Sequence, residues 1–226
     1  MCAQKRIALY GGTFDPVHAG HLEIARRVSE LFEIEKVLFI PAQMAPHKIG
    51  RPVTEPIHRY AMLALATQDD PRLVISTFEL DAPDRRYTVD TVEHFQRALG
   101  DSTELFFIMG ADSWSEITTW REWERLLTMT NHIVVTRPGF EPVTTHVGSV
   151  AERIVDLRSE KAAPGRRTPK IFFTDAVMND VSATNIRRLA SEDRLEELVN
   201  LLPGTVLEYI RKYGIYKELN EAKLNS

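Results

Sequence analysis

Short apolar runs rich in β-branched and aromatic residues alternate with helical segments along most of the chain, and this alternation limits the fold more than any other feature. The runs at 6–10 (RIALY), 36–42 (KVLFIPA), 73–80 (LVISTFEL), 104–110 (ELFFIMG), 132–139 (HIVVTRPG) and 170–174 (KIFFT) read as strands. Between them, Leu22, Ala25, Val28 and Leu31 recur at helical spacing, and 57–68, 88–99 and 120–127 carry helical patterns. Gly100 is placed to stop the 88–99 helix. Strands that are apolar almost throughout must be covered on both faces, which argues for a parallel sheet built from βαβ units. The expectation is an α/β protein with a doubly wound, Rossmann-like parallel sheet. Three further helices, 183–190, 192–201 and 204–213, form a helical C-terminal extension, with Gly214 as C-cap of the last. One domain over 1–217 and a tail at 218–226 are expected. Segment 139–169 is less regular: a helical patch at 149–158, then a polar surface loop at 159–169.

Composition excludes several classes of function. The chain has 226 residues and a net charge of −4, so no general positive field attracts nucleic acid, and any anion site must be built locally. Cys2 is the single cysteine, which rules out a disulfide framework and suits a reducing compartment. No run approaches the roughly 20 apolar residues of a membrane span, and the start has neither signal-peptide nor transit-peptide character. A soluble, cytoplasmic protein without membrane or nucleic-acid partners is expected. Homo-oligomer formation is left open.

The first strand-to-helix turn carries the chemistry. It reads GGTFDPVHAGH over residues 11–21. In doubly wound sheets this turn faces the crevice at the carboxyl ends of the strands. A helix start offers N–H groups to an anion. Gly11, Gly12 and Gly20 remove side chains there, and the spacing of His18 and His21 puts both rings on one side of the first helical turn. Two imidazoles beside a helix start can donate to phosphate oxygens and, if protonated, place charge near a pentavalent phosphorus. The turn has neither the G-x-G-x-x-G of dinucleotide sites nor the Lys-Ser/Thr of a Walker A loop. Zinc would need further ligands, and no Cys or carboxylate set is nearby. A second cradle reads VSATNIRRLA over 181–190, where Ser182 is a good N-cap, Thr184 adds a hydroxyl, and Arg187 and Arg188 follow one turn in. Two anion cradles, after the first and last strands, suit one polyphosphate.

These two motifs resemble those of the nucleotidylyltransferase superfamily, (H/T)xGH and (I/V)SxTxxR. The segments PAQMAPHK (41–48), RRYTVDTV (85–92), FIMGADSWSEITTW (107–120), VVTRPG (134–139) and LPGTVLEYIRKYGIY (202–216) resemble, in order and spacing, the bacterial nicotinate-nucleotide adenylyltransferase family. The likeness runs from residue 5 to 217, with VSAT where many members have ISST. Segment 140–169 has no counterpart in it.

The resemblance implies transfer of AMP from ATP to nicotinate mononucleotide, giving deamido-NAD and pyrophosphate in NAD biosynthesis. It implies direct in-line attack, with Mg²⁺ carried by ATP and few protein ligands to the metal. His18 and His21 would stabilise the transition state, and Lys48 and Arg187 would assist on the phosphates; His47 would be positional. Gly11, Gly12, Phe14, Gly20, Gly110, Asp112, Arg137, Ser182 and Thr184 would line the ATP site. Asp15, Thr88 and Trp120 would contact the mononucleotide, with Trp120 stacking on the nicotinate ring. The residues themselves leave plainer alternatives open: Asp112 and Thr88 as helix N-caps, Lys48 as a solvated lysine, Trp114 or Trp123 as the stacking ring, and Trp123 as core. Rival functions are another transferase of the superfamily, acting on nicotinamide mononucleotide, phosphopantetheine or a CTP-dependent alcohol phosphate, and a catalytically silent nucleotide-binding module. A fragment related to class I aminoacyl-tRNA synthetases lacks room for an anticodon domain and the basic surface that tRNA requires.

Overall fold

A computed structural model describes residues 4–43, 53–82, 84, 86–136, 143–158, 169–175 and 181–217. Among these residues, seven strands form one sheet: β1 (Lys5–Gly12), β2 (Lys36–Pro41), β3 (Leu73–Ile75), β4 (Thr103–Gly110), β5 (Asn131–Val135), β6 (Ile154–Asp156) and β7 (Ile171–Thr174). Their order is β3-β2-β1-β4-β5-β7-β6, and every pairing is parallel. The register sets Leu9 beside both Leu38 and Phe107, and Phe107 beside His132. The order turns back on itself between β1 and β4, which opens the ligand crevice at their carboxyl ends.

Among the described residues, seven α-helices cover the sheet: α1 (Ala19–Phe32), α2 (Pro56–Thr67), α3 (Thr88–Leu99), α4 (Ala111–Ser115), α5 (Trp123–Met129), α6 (Ala183–Ser191) and α7 (Gly204–Tyr213). Strand side chains alternate between two cores. Ala8, Tyr10, Phe106 and Ile108 join α1, α2, α6 and α7 in one. Leu9, Leu105, Phe107 and Met109 join α3, α4 and α5 in the other. Both faces of the sheet are therefore buried, as near-continuous apolar strands require.

Several boundaries differ from expectation for physical reasons. In α1 the buried apolar side chains are Leu22, Ala25, Val28 and Phe32, beside Gly20 and Ser29, and Leu31 is 49% exposed. At roughly 100° per residue, the nine steps from Leu22 carry Leu31 to the opposite side of the helix. β3 ends at Ile75 instead of continuing to residue 80. The Ser76 amide still donates to Phe39 O, but the Ser76 hydroxyl then accepts from Phe78 N and turns the chain off the sheet edge. The expected helix at 120–127 begins at Trp123, and the 192–201 helix is only a 3₁₀ turn, Leu195–Leu198. The expected 149–158 helix is a 3₁₀ segment, Thr145–Arg153, followed by β6. Three residues are too few to show a strand's period. Residues 137–139 of the expected fifth strand and 159–168 of the expected loop lie outside the described residues.

The C-terminal helices are not an appendage. Val206, Leu207 and Ile210 of α7 sit in the core shared with α1 and α2. Thr205 donates to Leu65 O at 3.1 Å, His58 and Tyr209 hydrogen-bond at 2.8 Å, and Ala19 N donates to Leu201 O at 2.9 Å. Gly214 closes α7 in the left-handed conformation, φ 63°. No helix among the described residues is long and apolar enough to cross a membrane.

Candidate active site

Between β1 and α1 the chain turns through residues 13–18. Phe14 adopts φ 51° and buries its ring edge-on to Tyr10, Phe39 and His21, at centroid distances of 5.5, 5.3 and 5.1 Å. Its ring is thus core beneath the turn, not a surface for ATP. A Cβ on Gly12 would stand 2.8 Å from that ring, and one on Gly11 3.2 Å from Phe107. The two glycines make room for the protein's own aromatics, and their backbone stays partly exposed.

His18 caps α1, and its ring stacks on that of His21 at 3.7 Å and 27°. Both rings fall together, as the spacing predicts. The His18 backbone N–H donates to His21 Nδ1 at 3.2 Å. Nδ1 thus acts as the acceptor toward the backbone, and Nε2 is the other polar atom of the ring. Two imidazolium charges about 4 Å apart would repel by about 4 kcal/mol at an effective dielectric of 20, which disfavours charging both rings at once. Gly20 suits this arrangement: a Cβ there would lie 3.2 Å from His18 Nδ1, and the ring would have to give by a few tenths of an ångström.

The expected row of free N–H groups at the helix start is mostly absent. Ala19 N donates to Leu201 O, while His21 N and Leu22 N both donate to His18 O. With His18 N held by His21, most of the donors that could face an anion here are side chains.

The second motif lies against the first. Gly20's Cβ position is 3.7 Å from Val181 Cβ. Ser182 caps α6, accepting from Asn185 N at 3.5 Å. Arg187 crosses to the early turn and donates to Asp15 O at 2.7 Å, a contact spanning 172 residues, and to Thr184 Oγ1 at 3.2 Å. Arg188 instead pairs with Glu192 on the surface. Asp15 is 3% exposed, and its carboxylate accepts from Tyr216 Oη at 2.9 Å and from Thr54 N at 3.3 Å. Its carboxylate is committed inside the protein, which leaves the expected mononucleotide contact without a free acid.

Across the crevice, Gly110 caps α4 and is exposed, with nothing within 4 Å of its Cβ position. Asp112 is exposed in the first turn of α4, so it is not the N-cap. Thr88 is the first residue of α3; the N-cap is Tyr87, whose N–H donates to Asp90 Oδ2 at 3.2 Å. Trp114 is fully buried, donates to Val143 O at 3.0 Å and meets Phe173 edge-on, so it cannot stack on a ligand. Trp123 packs partly buried on the same core. Trp120 is half-buried, edge-on to Phe107 at 6.4 Å. Phe107 in turn touches Gly11's Cβ position, so Trp120 stands one ring away from the β1 turn. The Arg121 guanidinium covers the Tyr87 ring at 4.8 Å and holds the Trp120 segment beside the start of α3. Lys48, His47 and Arg137 lie outside the described residues.

Residues 9–189 match the cytidylyltransferase-like family. A protein of Thermoanaerobacter sp. (strain X514), named "probable nicotinate-nucleotide adenylyltransferase", is 38% identical over 96% of this chain and 97% of its own. A Moorella thermoacetica protein of the same name is 37% identical over 94% and 92%. The chain belongs to the nicotinate-nucleotide adenylyltransferase family. The fold agrees with a Plasmodium falciparum nicotinic acid mononucleotide adenylyltransferase solved in complex with APC, with a TM-score of 0.71 at 19% identity, covering 94% of this chain and 97% of that one.

Within this member of the adenylyltransferase family, the sequence pattern left three residues unread, one of them fully buried and two partly buried. Arg59, Thr54 and Tyr216 close the network around Asp15. Arg59 is 0% exposed and sits on the buried stripe of α2 with Met62 and Leu63. An arginine on an apolar helical stripe was the available signal. Among the described residues no group of three or more His, Cys, Asp or Glu side chains could hold a metal ion.

Proposed function

We propose that this chain transfers AMP from ATP to nicotinate mononucleotide, producing deamido-NAD and pyrophosphate. The observation that carries the reading is the Arg187–Asp15 bond, which sets the two phosphate motifs of a nicotinate-nucleotide adenylyltransferase family member side by side. The attacking group is a phosphate that is already anionic, so no general base is needed. The site must hold two anions in line and stabilise charge on the α-phosphorus. His21 and the stacked His18 are the donors to the oxygens on that phosphorus. Ser182, Thr184 and Arg187 suit the β- and γ-phosphates, and hence the departing pyrophosphate. Two of the five Arg187 N–H groups serve Asp15 and Thr184. The remaining three are there for phosphate.

Gly110 and Asp112 suit the adenosine side. Thr88 at the α3 start and Trp120 suit the mononucleotide, with the indole face on the pyridinium. Lys48 and Arg137 are proposed for phosphate and nucleotide contacts. Asp15 is reassigned from ligand contact to support of the turn. Mg²⁺ enters with ATP, held by phosphate oxygens and water, which needs no protein carboxylate cluster. A cytoplasmic location follows from the reducing environment that a lone cysteine suits.

The test is pyrophosphate release by the purified protein with ATP and Mg²⁺. Nicotinate mononucleotide, nicotinamide mononucleotide and phosphopantetheine would be supplied separately. Release chiefly with the first supports the reaction and its preference for the acid. Release with only one of the others replaces the substrate, and silence with all three leaves a binding module.

A further inference from the structure

The turn that presents His18 and His21 has no regular secondary structure from residue 13 to 18, yet it must hold two imidazoles against a phosphate. Its rigidity comes from elsewhere in the chain. Arg59 donates from three nitrogens to three backbone carbonyls: Nε to Thr54 O at 2.9 Å, Nη1 to Thr13 O at 2.8 Å and Nη2 to Gln43 O at 3.3 Å. One buried guanidinium therefore ties the start of the turn to the chain on both sides of residues 44–52. Tyr216, arriving from beyond α7, donates its hydroxyl to Asp15 Oδ1 at 2.9 Å across 201 residues. Thr54 N takes Asp15 Oδ2, and Arg187 takes Asp15 O.

We propose that Arg59 and Tyr216 are positioning residues for adenylyl transfer: together they clamp residues 13–15, and through them set His18, His21 and Arg187 in place. Neither need touch substrate. Arg59 is fully buried beneath the turn, and burial lowers the pKa of its guanidinium while Asp15 and Tyr216 act to restore it. Burial and the Asp15 charge raise the Tyr216 phenol, which keeps the hydroxyl protonated as donor. The clamp also accounts for Asp15: its carboxylate joins the last described residues of the chain to the turn, and its carbonyl seats the arginine of the second motif. A fork that fills three carbonyls at once is a task for Arg; a Lys ammonium at the end of a flexible stem does not reproduce it.

The inference rests on the proposed reaction, so wild-type turnover is the first control. Tyr216→Phe removes one hydroxyl and keeps the ring. Tyr209→Phe is the comparison, since it removes another tyrosine hydroxyl bond that joins α2 to α7 and has no link to the turn. Each variant is checked by circular dichroism, and deamido-NAD binding is counted by calorimetry so that rates refer to folded molecules. Tyr216→Phe is expected to lower kcat about ten-fold, with KM for both substrates within about two-fold, whereas Tyr209→Phe stays near wild type. Arg59→Lys is expected to fall further in kcat than Tyr216→Phe and to recover little of the wild-type rate. If Tyr216→Phe folds and turns over like Tyr209→Phe, the inference is overturned while the reaction stands. A wild-type chain inert toward every mononucleotide would remove both.

Discussion

At the scale of single residues, the proposed reaction uses two imidazoles whose positions are set by packing. His18→Ala and His21→Ala should keep the fold and lower pyrophosphate release by roughly 10²–10³-fold each, the usual loss for one donor to a developing charge. Near-wild-type rates in both would remove them from the chemistry. Gly20→Ala tests the stack itself. A methyl 3.2 Å from His18 Nδ1 must displace a ring already 3.7 Å from its partner, so turnover should fall while far-ultraviolet circular dichroism stays unchanged. A third histidine is purely structural. His132 is fully buried in β5, its Nδ1 bonds Thr130 O, and burial pushes its pKa down to about 4. The unfolded chain binds this proton near pH 6.5, the folded chain only near 4. Stability should therefore be highest above pH 6.5 and fall on acidification toward pH 4, by up to roughly 3 kcal/mol. Urea midpoints at pH 7.5 and 5 would show it, and His132→Gln should flatten the difference. An equal midpoint difference in wild type and His132→Gln would mean that His132 does not titrate in this window.

At the scale of elements, the helices place function through their ends. α1 spends its early N–H groups on Leu201, His18 and His21, so it serves as a mount for two rings more than as an anion nest. α3 and the segment before α5 meet through Tyr87 and Arg121, which brings Thr88 and Trp120 to one side of the crevice. Trp120→Ala should raise KM for the mononucleotide far more than KM for ATP. Equal changes would move the nicotinate subsite elsewhere. Trp114 is no rival, because its indole is enclosed and its N–H is held by Val143.

At the scale of the whole molecule, the C-terminal helices complete the first core and deliver Tyr216 to the site. Val206, Leu207 and Ile210 are all buried, and at about 1.5–3 kcal/mol each their loss approaches the stability of an ordinary domain. A chain ending at residue 203 should lack a single cooperative thermal transition; a sharp transition would show α7 to be dispensable. The apolar runs and their alternation with helices determined the α/β class, because strands covered on both faces leave no other arrangement for so many continuous apolar segments. The bounds of α3 and α7 were legible for a similar reason: each has a long amphipathic period and a glycine stop. The two motifs that the proposed reaction assigns to phosphate were legible as local patterns of glycine, histidine and hydroxyl. What followed from contacts between distant segments was not. β6 is too short to carry a period, and Ser76 ended β3 through a hydroxyl bond that no pattern announces. Only the tertiary structure decided that the glycines of the first turn make room for Phe14 and Phe107, that Asp15 faces inward, and that Arg59 and Tyr216 hold the turn. Each of these is a bond or a contact whose partners become neighbours only when the sheet has closed, and a one-dimensional pattern records no such distance.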